Sequence, residues 1–273
     1  MNSLPDSLPR AALMGVVNVT PDSFSDGGLF LDAGAAVQHG LRLVEEGAHL
    51  LDVGGESTRP GADPVSVDEE LARVIPVVER LAAESGVPVS IDTAKAAVAE
   101  RALAAGAAMV NDVTAMRADP DMAGVVAASG AALCLMHMQG TPRTMQDDPR
   151  YDDVVAEIVE FLGERVSAAV AAGIDERRIC IDPGIGFGKT VDHNLRLLQE
   201  LDALCVLGRP VVIGVSRKRF LGTLTGRPEG DRVAATVAAN VAAFERGARI
   251  FRVHDVEPNR DALAVAAAIE AAS

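Results

Sequence analysis

The chain has 273 residues and a formal net charge of −14, with 25 Lys and Arg against 39 Asp and Glu. That length suits one (β/α)8 barrel with a large core, and the acidic balance argues against a nucleic-acid binder, which needs a basic face. Aromatic residues are only 3% with no Trp, which disfavours sugar chemistry, and no apolar run reaches the roughly 20 residues that span a bilayer.

Met1 to Arg10 lacks the charged start and apolar core of a signal peptide, so it reads as a flexible N-terminal segment of a cytoplasmic protein. Residues 11–273 contain no linker and no composition shift and read as one domain. Within them one pattern recurs: a glycine, a short apolar run, and a polar residue that closes it. Leu13 to Asn18 opens the series without a leading glycine. Gly47–Asp52, Gly86–Asp92, Gly106–Asn111, Gly130–His137, Gly173 through Ile179–Asp182, Gly208–Ser216 and Gly247–His254 follow. Glycine accepts the left-handed turn that ends a helix. A continuous apolar run suits a strand buried on both faces of a parallel sheet. Helical patterns fill the intervals. A capping box, Ser66-Val-Asp-Glu69, opens a helix to about Ser85 with Pro76 inside it. Asp152–Ala172, Asp231–Arg246 and Pro258–Ala271 read as further helices. The fold class is α/β, a single (β/α)8 TIM barrel, whose strand ends gather polar side chains on one face.

Two loops on that face, Thr20–Gly28 and Gly54–Gly61, are rich in turn formers and read as mobile lids. Asp92, Asn111 and Asp182 close strands. Buried carboxylates need donors, and a flat heterocycle with adjacent N–H groups supplies them; salt bridges to Lys95, Lys189 or Lys218 are the structural alternative. Ser216-Arg-Lys-Arg219 follows the seventh strand, where barrels often bind phosphate. Arg252 and His254 close the eighth strand on one side and, with Arg59 of the second loop, suit a cationic pocket. Asp182-Pro-Gly-Ile-Gly-Phe-Gly-Lys-Thr190 is not a Walker loop, because Pro183 stands where that pattern needs glycine. Its glycines read as room for backbone to approach a flat ligand, with Phe187 packing on it. His137 has no second ligand at metal spacing and reads as structural. Cys134, Cys180 and Cys205 read as reduced, buried thiols.

Eight motifs resemble the dihydropteroate synthase family, in order along nearly the whole chain. They are Asn18-Val-Thr-Pro-Asp-Ser-Phe-Ser-Asp-Gly-Gly28, Gly55-Glu-Ser-Thr-Arg-Pro-Gly61, Ser90-Ile-Asp-Thr93, Asn111-Asp-Val113, Met136-His-Met-Gln-Gly140, Asp182 through Lys189, Ser216-Arg-Lys218 and Arg252-Val-His-Asp-Val256. The resemblance implies a homodimeric barrel of folate biosynthesis. Such a transferase joins 6-hydroxymethyl-7,8-dihydropterin diphosphate to 4-aminobenzoate, giving 7,8-dihydropteroate and diphosphate. It implies a pterin set of Asp92, Asn111, Asp182 and Lys218, and a Mg2+ ligand in Asn18. It implies a diphosphate set of Thr58, Arg59, Arg252 and His254. Phe24, Pro60, Phe187, Ser216 and Lys218 would shape the aminobenzoate site, which sulfonamides occupy in this family. Lys218, Arg252 and His254 are the implied catalytic residues. No nucleic acid or membrane partner is implied. Many relatives carry a small hydroxyl residue where this chain has Arg219. A corrinoid-linked pterin methyltransferase would share the Asp92, Asn111 and Asp182 pocket but has no need of a diphosphate site. A non-catalytic pterin-binding paralogue should have lost a lid or a cationic residue, and this chain keeps them.

Overall fold

The computed structural model describes residues 4–20, 29–59 and 61–272. Phe24, Pro60 and nearly all of the first lid therefore lie outside the described residues. The described strands are β1 (Ala12–Asn18), β2 (Leu50–Gly54), β3 (Val89–Asp92), β4 (Met109–Asp112), β5 (Ala132–Met136), β6 (Ile179–Asp182), β7 (Val211–Ile213) and β8 (Ala248–Val253). They pair in parallel in sequence order and close into a barrel through β1 and β8. The helices are α1 (Leu4–Ser7), α2 (Leu29–Glu45), α3 (Val67–Glu84), α4 (Ala96–Ala104), α5 (Met122–Ser129), α6 (Val154–Ala171), α7 (Val191–Gln199), α8 (Arg219–Thr225), α9 (Val233–Phe244) and α10 (Val256–Ala271).

The strand pattern has the physical cause read from the sequence. All seven leading glycines have positive φ, from 64° at Gly208 to 110° at Gly47. Helix starts are capped as their residues require. Ser66 Oγ accepts the Glu69 N–H at 3.2 Å, and Asp153 accepts from Val155 and Ala156 at the head of α6. Pro76 sits inside α3 without ending it. Val74, Val77, Val78 and Leu81 form the buried stripe of that helix, and such stripes pack on the outward-facing strand residues Leu13, Leu51, Val53, Ile91 and Val110.

Inside the barrel the period of two along a strand builds layers. The lower layer is apolar: Met14, Leu50, Met109, Cys134, Cys180, Val212 and Ile250 form one cluster. Two residues further along their strands the layer turns polar, with Asp52, Asn111, Asp182 and Arg252. Leu4 and Leu8 pack against the apolar cluster from below, and Arg10 donates to the Ala248 carbonyl at 2.8 Å. From residue 4 the N-terminal segment lies against the underside of the barrel.

Three expectations are corrected. The seventh strand stops at Ile213, short of Ser216, with a register shift at Val211 and Val212. Beyond Gly214 the backbone bonds to itself, Lys218 N–H to Val215 O at 3.1 Å, so the chain turns instead of extending. His137 and His254 each lie one residue past their strands. Cys134 and Cys180 are buried, whereas Cys205 is exposed, because it sits on a short surface helix, Leu201–Leu207.

Candidate active site

The site is the polar layer at the C-terminal mouth of the barrel. Register places it there: Asp92 of β3 stands beside Gly54 of β2 and Asn111 of β4, and Asp182 of β6 stands beside Met136 of β5. Arg252 of β8 spans the layer. Its Nε donates to Asp52 Oδ2 at 2.6 Å and its Nη2 to Asp92 Oδ2 at 2.8 Å. Asn111 Nδ2 donates to the same Asp52 oxygen at 3.1 Å. One arginine therefore faces two buried carboxylates, Asp52 being 0% exposed.

The charges follow from that crowding. Burial drives the Asp92 carboxyl up to about 7; Arg252 opposes this and the Asp52 charge adds to it. Burial also raises Asp182, against the pull of Lys218 and of the Gly184 N–H, which donates to Asp182 Oδ1 at 2.6 Å. Lys218 is brought down to about 7 by burial, with Asp182 holding its charge and Arg252 opposing it. Its Nζ lies 4.2 Å from the centre of the Phe187 ring and donates to Ile185 O. Burial works against the Arg252 charge, but Asp52 and Asp92 outweigh it and hold the guanidinium firmly protonated. This collection suits a ligand that brings both N–H donors and negative charge.

At the β8 end, Ser216 Oγ accepts the His254 N–H at 3.1 Å and bonds His254 Nδ1 at 2.9 Å. Burial, then Arg252, Arg217 and Arg59, push His254 down to about 3. His254 is therefore a neutral member of the expected cationic pocket, because it is buried and has arginines near it. Arg59 is well exposed and pairs with Glu229 at 3.1 Å. Thr58 is half-buried beside it in the β2–α3 loop. A cavity of about 460 Å³ opens under that loop, with Thr20, Ser57, Arg59 and Arg73 among its lining residues. Asn18 closes β1 at the rim, half-buried.

Other expectations shift. The lysines do not neutralise the strand-end carboxylates by salt bridges among the described residues. Lys95 pairs with Glu56 and Glu70, and buried Lys189 bonds His137 Nδ1 and Phe187 O, each at 2.9 Å. His137, read as structural, is buried and driven down to about 2 by burial and by Lys189. Two glycines of the β6 loop, Gly184 and Gly188, make close backbone contacts with the β5 loop, and Gly186 packs against Lys218. A Cβ at Gly184 would meet His137 O at 1.9 Å, and one at Gly188 would meet Gln139 O at 2.6 Å. Asp52 was not singled out in the sequence, although it closes its apolar run as Asp92 does; that shared position was the available signal.

The family described as pterin binding enzyme matches residues 14–254. A dihydropteroate synthase of Mycobacterium leprae is 49% identical over 269 residues, covering 96% of this chain and 94% of the relative. The Xanthomonas albilineans dihydropteroate synthase structure with 4-aminobenzoic acid superposes with a TM-score of 0.91 at 56% identity, covering 96% of this chain and 94% of that one. A structure of the X. albilineans enzyme in complex with 7,8-dihydropteroate gives a TM-score of 0.88 at 52% identity, covering 97% and 95%.

Proposed function

The chain belongs to the pterin-binding enzymes and, among them, to the dihydropteroate synthases, and from that premise we propose how its own residues carry the reaction. The enzyme condenses 6-hydroxymethyl-7,8-dihydropterin diphosphate with 4-aminobenzoate to give 7,8-dihydropteroate and diphosphate. The C–O bond to the diphosphate breaks, the arylamine nitrogen bonds to the pterin methylene, and that nitrogen loses a proton.

Asp92, Asn111 and Asp182 receive the pterin's N–H edge. A carboxylate holds two parallel donors as it holds a guanidinium, and such donors favour the ionised form of a carboxyl that burial has raised. Arg252 keeps the Asp92 carboxyl oriented through its Nη2. The departing diphosphate needs charge stabilisation fixed in advance; Arg252 and Arg59 supply the charge, and Thr58 and His254 supply hydrogen-bonding groups. Lys218, its Nζ over the Phe187 ring, and Ser216 would border the aminobenzoate ring. The anionic carboxyls that hold the ring's N–H edge favour positive charge developing on the conjugated heterocycle. The observation that carries this reading is the convergence of Asp92, Asn111, Asp182 and Arg252, from four different strands, and of Lys218, from the turn between β7 and α8, on one mouth.

Asn18 fits Mg2+ only in company. Its side chain has no hydrogen-bond partner among the described residues, and it offers one neutral oxygen. Mg2+ binds commonly through few protein ligands together with substrate phosphates and waters. Asn18 would hold the ion with the diphosphate oxygens, and the ion would supply charge neutralisation there.

The assembly we propose is a homodimer. Val170 on α6, Leu195 on α7, Val206 on the Leu201–Leu207 helix and Leu224 on α8, all exposed, support it. No helix among the described residues is long and apolar enough to cross a membrane, and the free thiols support a cytoplasmic setting. The test of function is diphosphate release with both substrates and with each omitted in turn. Release must need both, and release without 4-aminobenzoate at the full rate would overturn the assignment.

A further inference from the structure

Arg217 is one of three non-glycine residues with positive φ among the described residues, at 57°. L-residues resist that conformation, and it persists where surrounding contacts over-determine it. Here the contacts are numerous. The Arg217 guanidinium grips both oxygens of Asp255, Nε to Oδ2 at 2.9 Å and Nη2 to Oδ1 at 2.5 Å. Its N–H donates to the fully buried Thr236 Oγ1 at 3.0 Å, and its carbonyl accepts Arg232 Nη1 at 2.9 Å. Asp255 is held in turn. Its carbonyl accepts Asn259 Nδ2 at 2.7 Å, and Asn259 Oδ1 accepts Asn240 Nδ2 at 2.8 Å. Both asparagines are 0% exposed. A polar seam between α9 and α10 thus ends on Arg217. The residues on either side of it are Ser216, bonded to His254, and Lys218, lying on Phe187.

We propose that Arg217 and Asp255 form a positioning pair, which sets the directions of Ser216 and Lys218 by holding the turn between them in its left-handed state. The pair also ties the β7 end to the β8 end, so that Ser216, Lys218 and His254 move as one unit. The inference rests on the roles proposed above for Lys218 and Ser216. It touches neither substrate, so its effect is on geometry, and misplacement by about 1 Å costs up to roughly 100-fold in rate.

Asp255→Asn, Arg217→Ala, the double variant and Arg217→Lys test it. Folding is monitored by circular dichroism at the assay temperature. Asp255→Asn stays folded and loses about 10- to 100-fold in kcat at saturating substrates. The double variant loses no more than the worse single, since both remove one interaction. Arg217→Lys, which still donates to Asp255, regains part of the rate. A folded Asp255→Asn protein with wild-type kcat, or single losses that multiply in the double, overturns the pair. Lys218→Met separates the two readings. If it is inactive while Asp255→Asn turns over normally, only the positioning pair fails; if it is fully active, the role of Lys218 fails.

Discussion

Replacing Arg252 with alanine leaves Asp52 and Asp92 facing each other in the interior without their shared cation. Stripping one partner from a buried pair costs about 3–5 kcal/mol when the orphan stays charged. The cost depends on pH because Asp92 already titrates near 7. A folded-state pKa above the free carboxyl value means that the fold holds the proton more tightly than the unfolded chain. Stability from this group is therefore present at acid pH and is lost as pH rises from about 4 towards 7. Arg252 limits that loss by favouring the ionised form. At pH 5 Asp92 is mostly protonated with or without the arginine, so its share of the difference between the two proteins falls away and the lost Asp52 contact remains; at pH 8.5 both contribute. Urea unfolding of both proteins at the two pH values measures it, with diphosphate release measured in parallel. Turnover is lost at both pH values, because the arginine's charge at the mouth is gone whichever state Asp92 adopts. An Arg252→Ala protein destabilised equally at pH 5 and pH 8.5 would refute the electrostatic account, and one that turned over at the wild-type rate would refute its catalytic role.

Gly184→Ala places a Cβ 1.9 Å from His137 O at a φ of 66°, and should lower unfolding free energy by about 2 kcal/mol or more; an unchanged urea midpoint contradicts the packing of that loop. Diphosphate with Mg2+ at about 100 times its dissociation constant should stabilise the protein by about 2.7 kcal/mol, read as a rise in Tm. Asn18→Ala should keep the diphosphate increment and lose the Mg2+ increment, and an unaltered response to Mg2+ removes Asn18 from the metal site. Arg219 is exposed at the first position of α8. Its replacement by alanine should raise KM for 4-aminobenzoate about tenfold, the cost of roughly one charge-assisted hydrogen bond. A KM that does not move assigns the carboxylate to a backbone N–H.

The barrel was legible because two local rules act together at each repeat: a left-handed glycine after a helix, then a doubly buried strand. The site was legible wherever the closing residue was polar, since strand direction alone carries Asp92, Asn111, Asp182 and Arg252 to one mouth. What depended on contacts across the barrel was not. That Asp52 is a partner of Arg252 requires knowing that β8 closes onto β1, which places the two side chains within 2.6 Å across 200 positions of chain. The neutrality of His254 required its burial and the arginines near it, and the tight glycines of the β6 loop required the backbone of the β5 loop against them. The early end of β7 came from a local turn that competes with strand pairing, and apolar periodicity does not register such competition.

The apolar layer of Met14, Leu50, Met109, Cys134, Cys180 and Ile250, closed from beneath by Leu4 and Leu8, makes the interior a blind well. Everything that reacts there arrives and departs through a single doorway. With the heterocycle on the Asp92, Asn111 and Asp182 layer, as proposed, the expected order is heterocycle before arylamine on the way in and the severed anion ahead of the joined product on the way out.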